Sequence, residues 1–317
     1  MDDDFSDRAF STRAVWSGTN HLEGSAVTPI FTTSTYQLND DRYRDWADGG
    51  QHSLIYSRWS SVNSEAVASK VASLEGAEDG ETLASGMAAI SSTLLSMLSK
   101  GDHMVTSPDI YGGTYGLLTS DFPRFGIDVT MADIRDPSSF EAAINENTKV
   151  LYVETITNPV LKVCDLEAMA SIAKEHGLIS VVDNTFATPW ACQPISMGFD
   201  VVIHSGTKFL NGHTDLTAGI VVGRSDLIKG VFKTKTRLGG TADAFMCYLL
   251  ERGMRTLHAR MPIHASNSSE LARRMQEHPE ISAVNHPSLE SYADYEVAKP
   301  NRTEGDGHAI ICGKGRG

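Results

Sequence analysis

Between residues 103 and 222 the sequence repeats one pattern: a short β-branched run, then a helical stretch, then another run. The runs fall at 103–106, 127–131, 150–153, 178–182, 201–204 and 219–222, with helical spacing between them as at 167–176. Strands alternating with helices of this length predict an α/β fold, a mostly parallel sheet with helices on both faces. Ligands of such sheets bind at the C-terminal ends of the strands. Before this region, Val67, Val71 and Leu74 recur at helical spacing until Gly76 stops them, and a second helix over 88–98 ends at Gly101. Residues 1–60 carry little helical period and many turn signals, among them Gly18, Gly24, Pro29 and Asp48-Gly49-Gly50, and read as an arm. From about Ala242 a long helical run through Leu271 replaces the strands. The expected division is an arm over 1–60, a large domain over 61–250 and a partial C-terminal domain over 251–317.

A chain of 317 residues buries roughly three quarters of its unfolded surface, enough for about two domains. Its 40 acidic and 27 basic side chains leave a formal charge of −13, which removes the attraction to phosphate on which nucleic-acid binding relies. Cys164, Cys192, Cys247 and Cys312 are scattered without a C-x-x-C pair and read as small core residues of a reducing compartment. The opening Met1-Asp2-Asp3-Asp4 is acidic where a targeting peptide is basic, and no run approaches the ~18 apolar residues of a membrane span. A cytoplasmic protein with neither nucleic acid nor membrane as partner is expected.

Three features stand at strand ends or helix starts. Ser85-Gly86-Met87 opens a helix, where unpaired N–H groups and the macrodipole favour an anion, although a glycine there serves capping equally well. Asp183 follows the apolar run 178–182; a carboxylate at the buried end of a central strand asks for a cation, unless it caps the next turn. Ser205-Gly206-Thr207-Lys208 offers two hydroxyls to a phosphate beside an amine that partial burial would make nucleophilic, although taken alone the lysine reads as a surface residue. Together, a phosphate cradle, an anion for a ring nitrogen and a Schiff-base lysine are the parts pyridoxal 5′-phosphate requires.

Six segments in order extend the pattern: Tyr56-Ser57-Arg58; Ala84-Ser85-Gly86-Met87-Ala88; Tyr111-Gly112-Gly113-Thr114; Glu154-Thr155 with Asn158-Pro159; Val182-Asp183-Asn184-Thr185-Phe186; and Ser205-Gly206-Thr207-Lys208 with Asn211-Gly212-His213. Over residues 12–299 the chain resembles the Cys/Met-metabolism enzymes, the pyridoxal-phosphate-dependent family of cystathionine γ-synthase, cystathionine γ-lyase and methionine γ-lyase. The resemblance implies a fold-type I enzyme and a homotetramer built from two active dimers. It implies Lys208 as the Schiff-base lysine, Asp183 against the pyridinium nitrogen and Tyr111 stacked on the ring. Gly86, Met87, Ser205 and Thr207, with Ser85, would hold the phosphate, and Tyr56 and Arg58 would reach it from the neighbouring subunit. Asn158 is expected at the cofactor's phenolic oxygen, Thr185 among the cofactor contacts, and Glu154 as an orienting group. The implied reaction is γ-elimination or γ-replacement on a sulfur amino acid or O-acylhomoserine. The alternative is an impaired, truncated homologue that keeps only cofactor binding or an assembly role.

The sequence departs from the family in three places. Gly116 stands where cystathionine-handling members generally carry an Arg for a distal carboxylate, and Gly113 where methionine γ-lyases typically have Cys. Trp59-Ser60-Ser61-Val62-Asn63 replaces the usual Asn-Pro-Thr. From about residue 300 the likeness gives way to a Gly-rich tail, expected to reflect a frameshift or shortened reading frame that loses the α-carboxylate Arg. A nicotinamide site is excluded for want of G-x-G-x-x-G after the first strand, and no metal is expected, since His204 and His213 lie outside any ligand motif. The sequons at Asn267 and Asn301 have no meaning in a cytoplasmic protein.

Overall fold

The computed structural model describes Phe5 and residues 7–48, 50 and 52–299. The acidic N-terminus, Gly49, Cys312, the sequon at Asn301 and the tail from Pro300 lie outside the described residues. Seven strands, β1 (Asp79–Leu83), β2 (His103–Thr106), β3 (Asp128–Met131), β4 (Thr148–Glu154), β5 (Ile179–Asp183), β6 (Val201–Ser205) and β7 (Gly219–Gly223), form a sheet in the order β1-β7-β6-β5-β4-β2-β3. β2 pairs with β3 and β4 in parallel, as β4 does with β5, whereas β1 runs antiparallel to β7. The α/β expectation holds, and the six strands anticipated from the sequence are present with ends shifted by one or two residues.

β1 was not anticipated. Its sequence, Asp79-Gly80-Glu81-Thr82-Leu83, lacks the apolar signature because Glu81 enters the core as one half of an ion pair with Lys235. The arm also contains more structure than its turn signals suggested, with helices at Phe10–Trp16 and Asp40–Ala47. The second has no buried residue, hence no apolar stripe to read. It forms because Asn39 caps the Arg42 N–H at 2.9 Å, with Asp40 and Asp41 in its first turn and Arg44 in its last.

The chain divides into two compact units. The first comprises Met1–Met97 and Ile203–Leu257. Its Val62–Glu75 helix starts from a Ser61/Ser64 capping box and stops at Gly76, which takes the left-handed conformation required there (φ +75°). Asn63 ties the arm to this helix by accepting from the Phe31 N–H and donating to the Pro29 carbonyl, both at 2.9 Å. The expected helical run from Ala242 is two helices, Ala244–Met254 and Leu257–Gln276.

The second unit comprises Leu98–Val202 and His258–Gly317. Val150, Leu151, Tyr152 and Val153 of β4 are fully buried, and each such aliphatic side chain contributes about 1.5–3 kcal/mol relative to exposure. A smaller cluster of Val163, Ala272, Leu289, Tyr292 and Ala298 packs the residues that follow the long Leu257–Gln276 helix. Cys164, Cys192 and Cys247 are buried in their respective units. Among the described residues no helix is long and apolar enough to cross a membrane.

Candidate active site

In the first unit, Ser85 and Ser205 are drawn together because two glycines lack side chains. A Cβ on Gly86 would lie 2.9 Å from the Ser205 Cβ, and one on Gly219 would lie 2.1 Å from the Ser85 carbonyl oxygen. The Gly86–Met97 helix therefore begins against the end of β6. The Ser85 hydroxyl caps it by accepting from the Ala88 N–H at 3.1 Å. Among the described residues the N–H groups of Gly86 and Met87 have no acceptor, which leaves the positive end of a twelve-residue helix open to an anion.

Directly after β6, the Thr207 hydroxyl accepts from the Ala218 N–H at 3.0 Å and approaches the Ala218 carbonyl at 3.4 Å. That contact fixes the turn but engages a hydroxyl expected on the phosphate. The turn continues with Lys208 N–H to the Ser205 carbonyl at 3.2 Å and Gly212 N–H to the Lys208 carbonyl at 2.8 Å. The Lys208 side chain is exposed, not partly buried as anticipated, and its amine has no bonding partner among the described residues.

Tyr56 and Arg58 lie farther along the same unit, both exposed, with the guanidinium 5.4 Å from the Tyr56 ring centroid and donating to the Thr236 carbonyl. Trp59, the departure from the family pattern, stacks on Trp46 at 5.7 Å and meets Tyr56 edge-on at 6.4 Å. His204 is sealed in the core against Glu75 at 2.7 Å, and the His213 Nδ1 lies 2.6 Å from the Asn211 carbonyl.

In the second unit, Glu154 and Asp183 are register partners at the C-terminal ends of parallel strands β4 and β5, so their side chains leave the same face. Glu154 is buried; one carboxylate oxygen accepts from the Tyr111 N–H at 2.7 Å and the other from the Asn158 N–H at 2.9 Å. Burial first, then the neighbouring Asp183 charge, raises its pKa above the usual carboxylate range. Asp183 is held by Thr185, whose N–H and hydroxyl donate to one of its oxygens at 3.0 and 2.5 Å. Beneath them, buried Asn184 accepts from the Thr155 hydroxyl at 2.8 Å and donates to the Cys192 carbonyl at 2.9 Å. Tyr111, about half exposed, leads into the Gly112–Gly116 helix, and a Cβ at Gly116 would meet nothing within 4 Å. The structure thus gives Glu154 a larger part than its sequence signal did, since it links two expected cofactor contacts.

The Cys/Met metabolism PLP-dependent enzyme model matches residues 11–311. The chain belongs to this family. It is 41% identical over 296 residues to an L-methionine γ-lyase of Porphyromonas gingivalis, covering 92% of this chain and 74% of that protein. A cystathionine γ-lyase of Bacillus subtilis is 38% identical, with coverage of 90% and 72%. Among solved structures, cystathionine γ-lyase of Lactobacillus plantarum complexed with L-serine superposes with a TM-score of 0.88 at 33% identity, over 95% of this chain and 77% of that one. A putative O-acetylhomoserine (thiol)-lyase of Campylobacter jejuni, solved with pyridoxyl-lysine monophosphate, gives 0.88 at 31% identity, over 92% and 82%. The chain is therefore a pyridoxal-phosphate-dependent enzyme of the fold-type I class. The family match extends twelve residues past Lys299, into the segment that the sequence reading set apart.

Proposed function

We propose that the chain cleaves the bond from Cγ to sulfur or oxygen in a sulfur amino acid or O-acylhomoserine, by γ-elimination or γ-replacement, with Lys208 as the covalent and proton-transferring residue. The observation that carries this reading is the exposed, unpartnered Lys208 amine directly after Ser205-Gly206-Thr207, in a unit whose Gly86 and Met87 N–H groups stand open to an anion. These groups fit pyridoxal phosphate: the amine for its aldehyde, the helix start and hydroxyls for its phosphate. When bound, the cofactor supplies an electron sink for charge developing at the substrate's Cα.

Ser85, Gly86, Met87, Ser205 and Thr207 bind the phosphate in this reading, Thr207 by rotating its hydroxyl away from the Ala218 carbonyl. Asp183, fixed by Thr185, holds a proton on the ring nitrogen, and Asn158 donates to the phenolic oxygen. With the substrate amine in its place, the Lys208 amine would take the proton from Cα, pass it on, and, neutral again, take one from Cβ. Tyr111 would face the ring and protonate the departing sulfur or oxygen. Tyr56 and Arg58 serve a neighbouring copy's phosphate, which makes self-association, as a dimer of active dimers, part of the site. Gly116 offers no cation for a distal carboxylate, which favours substrates that lack one, such as methionine or O-acetylhomoserine.

The test is borohydride reduction of the protein incubated with pyridoxal phosphate, followed by peptide mapping and a product assay with methionine. A visible band abolished by borohydride, a pyridoxyl group on Lys208, and release of thiol, ammonia and 2-oxo acid are expected. A map placing the pyridoxyl group elsewhere, or no uptake of cofactor, would overturn the reading.

A further inference from the structure

After β4 the chain doubles back as a short hairpin. Ile156 and Val163 form an antiparallel bridge; the Thr157 N–H reaches the Lys162 carbonyl and the Leu161 N–H the Thr157 carbonyl, both at 2.9 Å. Asn158 sits in this hairpin, and its N–H is one of the two that Glu154 holds. Leu161 takes a left-handed backbone conformation (φ +61°), which a residue with a branched side chain does not favour, so the hairpin needs holding from outside.

Two residues from near the end of the described chain do this. The Tyr292 hydroxyl donates to the Leu161 carbonyl at 2.7 Å. Asp294, 4% exposed, accepts from the Val163 N–H at 3.0 Å and from two guanidinium nitrogens of Arg135 at 2.7 and 3.0 Å. Tyr292 and Val163 also share the small cluster with Ala272, Leu289 and Ala298. A second tie runs from the Lys162 ammonium to Asp109 at 2.6 Å, two residues before Tyr111. The hairpin is thus gripped on one side by the C-terminal segment and on the other by the chain leading into Tyr111, with Glu154 joining Asn158 to Tyr111.

We propose that Tyr292 and Asp294 are positioning residues that set the geometry of Asn158 and Tyr111 through the Ile156 to Val163 hairpin. This rests on the reading of Asn158 and Tyr111 as cofactor-facing groups. The segment around Tyr292 is then more than a lid on the core: its polar contacts determine how the ring is held, although neither residue touches it.

Tyr292→Phe and Asp294→Asn test this mildly. The first removes one hydroxyl; the second keeps an oxygen for the Val163 N–H and leaves Arg135, 38% exposed, able to find water. Hydrogen exchange on the apoprotein should be about fivefold faster or more at the Leu161 and Val163 amides, as expected for loss of one hydrogen bond's hold. Pyridoxal phosphate affinity, from cofactor titration by fluorescence, should fall by a similar factor, and the pH at which the visible band changes should move. The Tm should shift by only a few degrees. Unchanged exchange in both variants would overturn the brace without reference to any cofactor. Faster exchange with unaltered affinity and spectrum would show a structural contact and overturn the positioning role. If the unmodified protein takes up no pyridoxal phosphate, the proposed function fails and the positioning role with it, an outcome separable from the others because it appears before any substitution is made.

Discussion

Replacing Lys235 with Met would isolate the cost of one buried charge. Lys235 and Glu81 are 3% and 4% exposed, with Nζ 2.6 Å from a Glu81 carboxylate oxygen; the same ammonium donates to the Trp59 carbonyl at 2.8 Å and lies 5.2 Å from the Phe232 ring centroid. Met retains most of the stem's volume, so the packing loss is small. What disappears is the charge opposite Glu81, whose pKa burial has already pushed up to about 7 while Lys235 acts as the largest opposing influence. Because that value lies above the unfolded 4.5, the favourable contribution of the protonated Glu81 is full below pH 4.5 and is lost as pH rises through the folded value. Without Lys235 the folded value climbs further. The penalty of the substitution should therefore be slight at pH 5 and grow to about 1.4 kcal/mol at pH 8, one pH unit above the folded value. Urea unfolding followed by far-ultraviolet dichroism at pH 5, 6.5 and 8 measures it, with Lys235→Met/Glu81→Met as the second arm. The double variant should recover at least half of the loss at pH 8, since two apolar side chains of similar volume leave no orphaned charge. A loss equal at all three pH values would refute the reasoning and assign the cost to the unpaired Trp59 carbonyl.

His52 lies 2.5 Å from Glu65 and 3.2 Å from Asp79, and these carboxylates, Asp79 foremost, push its pKa up to about 10. The stabilisation this gives is full below the unfolded 6.5 and lost as pH rises through about 10, so the Tm deficit of His52→Gln should be larger at pH 6 than at pH 10.5; a deficit that grows with pH would contradict it. At Gly116, where a side chain meets open space, Gly116→Arg should fold normally and raise kcat/KM for cystathionine relative to methionine by tenfold or more; an unchanged ratio would remove position 116 from substrate selection.

The parts of the fold that were legible in the sequence are those whose signal is local. β4, β5 and β6 show as β-branched runs because both their faces are buried, and the Val62–Glu75 helix shows through its spacing and Gly76. β1 was hidden because its inward residue is an acid matched by a lysine 154 positions away. The Asp40–Ala47 helix was hidden because none of its residues is buried, which leaves no apolar stripe to read. The site divides in the same way. Lys208, Asp183 and the Ser85-Gly86-Met87 start could be read from residue type at a strand or helix end. The role of Glu154 could not, since it depends on the register that sets β4 beside β5. Nor could the contact of Arg135 with Asp294, which joins positions 159 apart.

That register also argues for the chemistry assigned to the second unit. Strands in a parallel pair lie about 4.8 Å apart, so two carboxyls leaving one face at matched positions repel each other wherever water is scarce. The fold treats the two differently. Glu154 is buried and carries a raised pKa, which near neutral pH keeps a share of it protonated despite two backbone N–H donors. Asp183 is less buried and has the Thr185 hydroxyl and N–H aimed at one oxygen. One carboxyl of the pair thus holds its neighbours in place, and the other is itself held by Thr185. A carboxylate at the end of a central strand is costly to ionise unless a cation meets it, and the proposed function sets a protonated ring nitrogen there. The proposed roles, Asp183 at that nitrogen and Glu154 as the orienting group, fit the unequal environments of two acids that the strand register sets side by side.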